Sequence, residues 1–111
     1  MFGNINNSIS MISIKDVAIL VTKGTTPTTL GYKFESDGII NFVKVENISV
    51  NGDIQAPFDK ITNECNSAMI RSELQEDDIL ISIAGTIGKT AIVTKEILPA
   101  NTNQAVAIIR L

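Results

Sequence analysis

Histidine is absent from this chain of 111 residues, and cysteine occurs once, at position 65. The two scarcities exclude disulfide frameworks, the usual zinc sites and every histidine-based triad or acid–base pair. Cys65 reads as a small buried hydrophobe. No apolar run approaches the ~18 residues of a membrane span. The opening "MFGNINNSIS" lacks a basic stretch followed by a long apolar one, so no secretory signal is read and a cytoplasmic setting is expected, with no membrane partner. Nothing in the composition calls for a metal or a cofactor. Basic residues are also in deficit: the net charge is −3, which argues against a surface dominated by phosphate contacts.

What is present suits one globular domain with a modest core, at 44% hydrophobic and 19% charged residues. The charges are uneven. "SELQEDD" (72–78) holds four acids, whereas Lys15, Lys23, Lys33 and Lys44 lie in the first half. The acidic run reads as a solvated helix end and turn before a buried strand. Metal binding by Asp77 and Asp78 is disfavoured, because neighbours on a strand point to opposite faces.

"ISIAGTIGKT" (81–90) ends like a phosphate-binding loop, in Gly88-Lys89-Thr90. That pattern needs its first glycine at position 83, which is Ile83, and Gly85 stands two residues too close. The β-formers Thr90 to Thr94 follow where a helix would be required. A β-hairpin is expected, with Gly85 and Gly88 supplying backbone angles that are costly for other residues.

Along the rest of the chain, "ISIKDVAILV" (12–21) suits a short strand or a short helix, with Ser13 as an N-cap in the helical case. "TKGTTPTTLGYKFESDG" (22–38) reads as a long loop, and long loops in compact domains are often functional. "IINFVKVENI" (39–48) predicts a strand running towards a turn at Asn51-Gly52, and "DIQAPFDKIT" (53–62) a broken strand at an edge or bulge. "NECNSAMIRSELQ" (63–75) predicts a helix of two or three turns with Cys65, Ala68, Met69 and Ser72 on one face. "AVAIIRL" (105–111) predicts a last strand, whose place at the chain end suggests an uncovered apolar edge or face and self-association. The expected class is α+β: a single small domain with a curved, largely antiparallel sheet and one or two short helices.

Four pieces stand in a fixed order: "TKGTTP" (22–27), "INFVKVENIS" (40–49), "DDILISIAGTIGKTAIV" (77–93) and "NTNQAVAII" (101–109). Together they resemble a target recognition domain, the DNA-reading module of the specificity subunit of prokaryotic type I restriction-modification systems. The resemblance covers nearly the whole chain, 1–111, and implies part of one such domain; the spacer helices that usually separate two domains have no counterpart here. It implies a non-catalytic protein, not an enzyme, that directs a methyltransferase (modification) subunit and a restriction subunit to one half of a split target in double-stranded DNA. On this view Lys23, Thr25, Thr26, Thr28, Tyr32 and Lys33 of the long loop contact DNA, joined by Lys44 and, at the hairpin turn, by Thr86 and Lys89. Asn103 and Gln104 could read adenine edges or satisfy backbone groups in a loop entering a strand, and the latter is preferred. The alternative is a truncated, specificity-subunit-like module that binds or regulates protein partners without reading DNA, a view that the charge of −3 favours.

Overall fold

The computed structural model describes residues 20–111, with side chains from Gly24 onward. The expectations for residues 12–19, including the Ser13 cap, lie outside the described residues. Among the described residues seven strands form two sheets. In the first, the order is β1 (Leu20–Lys23), β7 (Val106–Arg110), β4 (Ile79–Ser82) and β5 (Thr90–Ile92), all antiparallel. In the second, β2 (Ile40–Val43) lies between β3 (Asp59–Ile61), which is antiparallel to it, and β6 (Ala100–Thr102), which is parallel. Among the described residues one α-helix, α1 (Asn63–Ala68), completes an α+β domain.

The side-chain period of two explains the division of the core. In β2, Ile40 and Phe42 pack with Ile61, Cys65 and Met69 on the side of α1, while Val43 turns the other way to join Leu80, Ala91, Val106 and Ile108 of the larger sheet. β2 is thus the wall between two apolar clusters. β4 shows the same alternation: Leu80 and Ser82 are buried, and Ile79 and Ile81 are half-buried.

Several expectations are corrected. Two sheets replace the single one, and β6 forms from the short run Ala-Asn-Thr, for which no strand is expected. The strand over 39–48 ends at Val43 and gives way to a 3-10 turn at Val45–Asn47. The long loop 22–38 is partly ordered by hydrogen bonds: β1 runs through Lys23, and Pro27–Leu30 forms a 3-10 turn closed by Gly31 at φ 86°. The strand at the chain end is no edge, because β7 is flanked by β1 and β4. Its hydrogen-bonding groups are used on both sides, so an uncovered β7 edge gives no reason for self-association.

The helix is shorter than expected as well. Thr62 caps it by accepting the Cys65 N–H at 3.1 Å. After Ala68 the backbone leaves helical geometry at Met69 (φ −115°, ψ 31°), and a 3-10 turn follows at Ile70–Ser72. Cys65, Met69 and Ser72 are buried as expected, but Ala68 is exposed and Asn66 is buried instead.

Asp78 overturns the reading of the acidic run as wholly solvated. It is 1% exposed and forms a two-pronged ion pair with Arg110, Oδ1 to Nε and Oδ2 to Nη2, both at 2.7 Å. Its Oδ2 also accepts the Gln75 N–H. The Asp78 carboxylate beside it raises the Arg110 pKa, so the guanidinium stays charged.

Cys65 is fully buried, and burial pushes its thiol pKa up. The folded state thus prefers the protonated thiol. The associated stability is fully present below the unfolded thiol pKa of about 8.5 and is lost as the pH rises through the folded value. Alkylation of Cys65 by iodoacetamide at pH 8 should therefore proceed only through opening of the domain, far more slowly than in urea. Equal rates in both conditions would contradict this burial.

Candidate nucleic-acid interface

The glycine of "TKGTTP" decides where the first loop runs. A Cβ on Gly24 would stand 1.9 Å from the Thr102 carbonyl oxygen, so only glycine lets the chain leave β1 in contact with the backbone of β6. Two residues on, Thr26 Oγ1 donates to Gln104 Oε1 at 2.7 Å. Gln104 lies between β6 and β7, and its neighbour Ala105 accepts the N–H of Ile83 at 2.8 Å. Ile83 opens the turn of the β4–β5 hairpin. Three segments far apart in sequence, 24–31, 83–88 and 103–105, are so tied together.

Ser82 sets the shape of the hairpin turn. The strand period places it inward with Leu80, fully buried, where its hydroxyl donates to the Thr86 carbonyl and accepts the Lys89 N–H at 2.8 Å. Gly85 and Gly88 take φ of 70° and 95°, as the hairpin reading requires. β5 follows as a strand, so no helix N-terminus stands behind Lys89 to receive a phosphate.

Between these segments and the turn Ile70–Ser72 lies an open groove of about 830 Å³. Its walls include Thr25, Leu30, Ile70, Arg71 and Ile83. Leu30, Ile70 and Ile83 remain 43%, 59% and 41% exposed, so apolar surface and one arginine share the lining. Among the described residues Arg71 is the one charged residue of the lining, and no carboxylate takes part. Several acids are held elsewhere: Asp78 by Arg110, Asp59 and Glu46 by Lys44, and Glu73 by the Asn66 amide.

The residues expected at a DNA surface separate accordingly. Thr25 lines the groove, Thr26 is bonded to Gln104 beside it, and Thr28 is exposed on the 3-10 turn that carries Leu30. Thr86 is exposed and Lys89 half-buried on the hairpin that supplies Ile83. Lys23 ends β1, and its side chain lies outside the described residues. Lys44, Tyr32 and Lys33 are not part of this arrangement. Lys44 Nζ sits 2.7 Å from Asp59 Oδ2 and 3.7 Å from Glu46 Oε2; the bond to Asp59, with the charges of both acids, raises its pKa against the opposing effect of burial. Its ammonium is paired with two carboxylates, whose charges oppose an approaching phosphate. Tyr32 packs against the cluster of Phe42, Cys65 and Met69, and Lys33 beside it is exposed but outside the groove lining. Of the "NTNQ" amides, Asn103 accepts the Ala105 N–H, a local structural role, and Gln104 holds Thr26.

Arg71, Ser82 and Asn101 are not singled out by sequence reasoning. Ser82 carries a signal, as a polar residue at an inward position of an apolar strand. Arg71 carries none, since its value lies in groups that come from other parts of the chain.

Asp77, at φ 73°, is exposed, and among the described residues no three acidic or thiol side chains gather as a metal site. Among the same residues no helix is long and apolar enough to cross a membrane. No protein-family model matches the chain.

Proposed function

We propose that this chain is a non-catalytic DNA-recognition module of the kind found in type I restriction-modification specificity subunits, acting in the cytoplasm to direct methyltransferase and restriction subunits to a half-site. One observation carries the reading: Gly24 and Thr25 of "TKGTTP", Ile83 of "DDILISIAGTIGKTAIV" and Ala107 of "NTNQAVAII", from three of the four stretches that bear the resemblance, line one groove whose only charged lining residue, among the described residues, is a cation. In a chain of net charge −3, a surface cleared of carboxylates at one place is the arrangement phosphate contact demands. Hydroxyls at Thr25, Thr28 and Thr86 and the Gln104 amide add hydrogen-bonding groups suited to phosphates or base edges.

The work divides by chemistry. Lys89 meets phosphate and fixes position without reading sequence, whereas Thr26, held by Gln104 beside the groove, reads a base edge. In the assembly with the methyltransferase subunit, Lys89→Ala should weaken binding to matched and mismatched duplexes by a similar factor and lower the salt slope by about one. Thr26→Val should instead shrink the discrimination between them, at ~1–3 kcal/mol per good base contact. Lys44→Ala should change neither. Fluorescence anisotropy over a salt series measures all three.

The exposure of Leu30, Ile70 and Ile83 favours a second reading, in which the groove takes an apolar protein segment and the chain regulates assembly without touching DNA. If Lys89→Ala and Thr26→Val both leave affinity and discrimination untouched, that reading replaces the first.

A further inference from the structure

The buried amide of Asn101 is more fully used than any other side chain near the groove. Asn101 sits on β6 with no exposure. Its Nδ2 donates to Asn66 Oδ1 at 2.8 Å and to the Met69 carbonyl at 3.0 Å. Its Oδ1 accepts the Ser72 hydroxyl at 2.6 Å and the Thr102 N–H at 2.8 Å. An asparagine amide has two N–H donors and two lone pairs, and all four are taken. Asn66 in turn donates to Glu73 Oε2 at 2.8 Å, which closes the cluster at its outer side.

The pairing has a consequence for the groove. Met69 and Ser72 flank Ile70 and Arg71, and both are held by the same amide. The Met69 carbonyl, which a continued α-helix would offer to the N–H of Glu73, is instead turned to Asn101 and to the N–H of Ser72. The Glu73 N–H goes to Ile70. The helix breaks at Met69, and the two residues between the anchors face the groove.

We propose that Asn101 is the positioning residue for the cation of the groove: its amide grips Met69 and Ser72 at both ends of a two-residue projection and so presents Ile70 and Arg71 to the ligand. That the ligand is DNA rests on the function proposed above; the pinning of the turn does not. Aspartate at 101 would lack the donors for Asn66 and Met69, and alanine would lack all four hydrogen bonds, leaving buried polar groups unpaired.

Two measurements test this. The first needs no ligand: limited trypsin digestion compares cleavage after Arg71 with cleavage after Lys89 and Lys95 in the same molecule, so that global opening cancels from the ratio. Asn101→Ala should raise that ratio about tenfold, the loss expected when buried hydrogen bonds at the turn are removed. Ser72→Ala, a smaller change that keeps the fold if Asn101→Ala does not, should raise it in the same direction. An unchanged ratio, or a rise shared equally by all three sites, overturns the proposal. The second is a double-mutant cycle on affinity for a fluorescent mixed-sequence duplex, in the assembly with the methyltransferase subunit. Arg71→Ala should weaken binding about tenfold, the scale of removing one charge-assisted hydrogen bond. Asn101→Ala should weaken it too, yet add nothing in the Arg71→Ala background, because its effect passes through Arg71. Additive losses would reduce Asn101 to a general stabiliser and overturn its positioning role. If the trypsin ratio rises while Arg71→Ala leaves DNA affinity intact, the pinning stands and the DNA reading of the groove is lost.

Discussion

Asp78→Ala should lower the stability of the domain by about 3–5 kcal/mol, the cost of leaving one member of a buried ion pair without its partner. Arg110 is only 18% exposed at its side chain and gives Asp78 two hydrogen bonds at 2.7 Å, while the Gln75 N–H would lose its acceptor as well. The pair joins the end of β7 to the turn that leads into β4, so its loss loosens two adjacent strands of the larger sheet. With a total stability of about 5–15 kcal/mol expected for a domain, this one change removes a large fraction. Urea denaturation reads it as a fall in midpoint at constant slope. Asp77→Gly, one position earlier, should be tolerated, since Asp77 is exposed and its φ of 73° is one that glycine adopts freely. A loss below ~1 kcal/mol for Asp78→Ala would show that the pair contributes no more than a surface bridge.

The second large effect is expected at Gly24. Gly24→Ala places a methyl group 1.9 Å from the Thr102 oxygen and 2.7 Å from its carbon, and both are backbone atoms of β6 that cannot rotate away. The loop or the strand must move, at a cost of about 1–3 kcal/mol typical of overpacking. The displaced segment carries Thr25 and Thr26, so the bond to Gln104 and the groove wall go with it. Gly85→Ala offers the comparison. A methyl group at that position would meet nothing within 4 Å, and the cost there comes from a φ of 70° alone, about 1–2 kcal/mol. On the function proposed above, Gly24→Ala should therefore abolish DNA binding, whereas Gly85→Ala should lower the melting temperature and leave binding largely in place. Wild-type affinity in Gly24→Ala would detach the first loop from the site.

Much of the scaffold is legible in the sequence because it rests on local properties. The β-branched runs of β2, β4, β5 and β7, the turns at Gly52, Gly85 and Gly88, and the burial of Cys65 follow from side-chain period, backbone freedom and polarity over a few residues. β6 does not, since Ala-Asn-Thr has little strand character of its own and is drawn into the sheet by parallel pairing with β2. The helix reads too long in the sequence because residues 63–75 keep an apolar period, while the Met69 carbonyl that the next turn would need is taken by Asn101, from another part of the chain, and by Ser72.

Charges divide in the same way. Sequence alone determined an α+β domain of net negative charge without histidine chemistry, and it marked the stretches that meet at the groove. Which lysine is paired with carboxylates was decided by tertiary structure. Lys44 and Lys89 look alike along the chain, yet β3 brings Asp59 within 2.7 Å of one, while the other ends a turn away from any described carboxylate partner. Arg71 enters the groove, and Arg110 is spent on Asp78, for the same reason. The energy of a charge depends on what stands within a few ångströms of it, and strand order and register, not neighbours in sequence, set those distances.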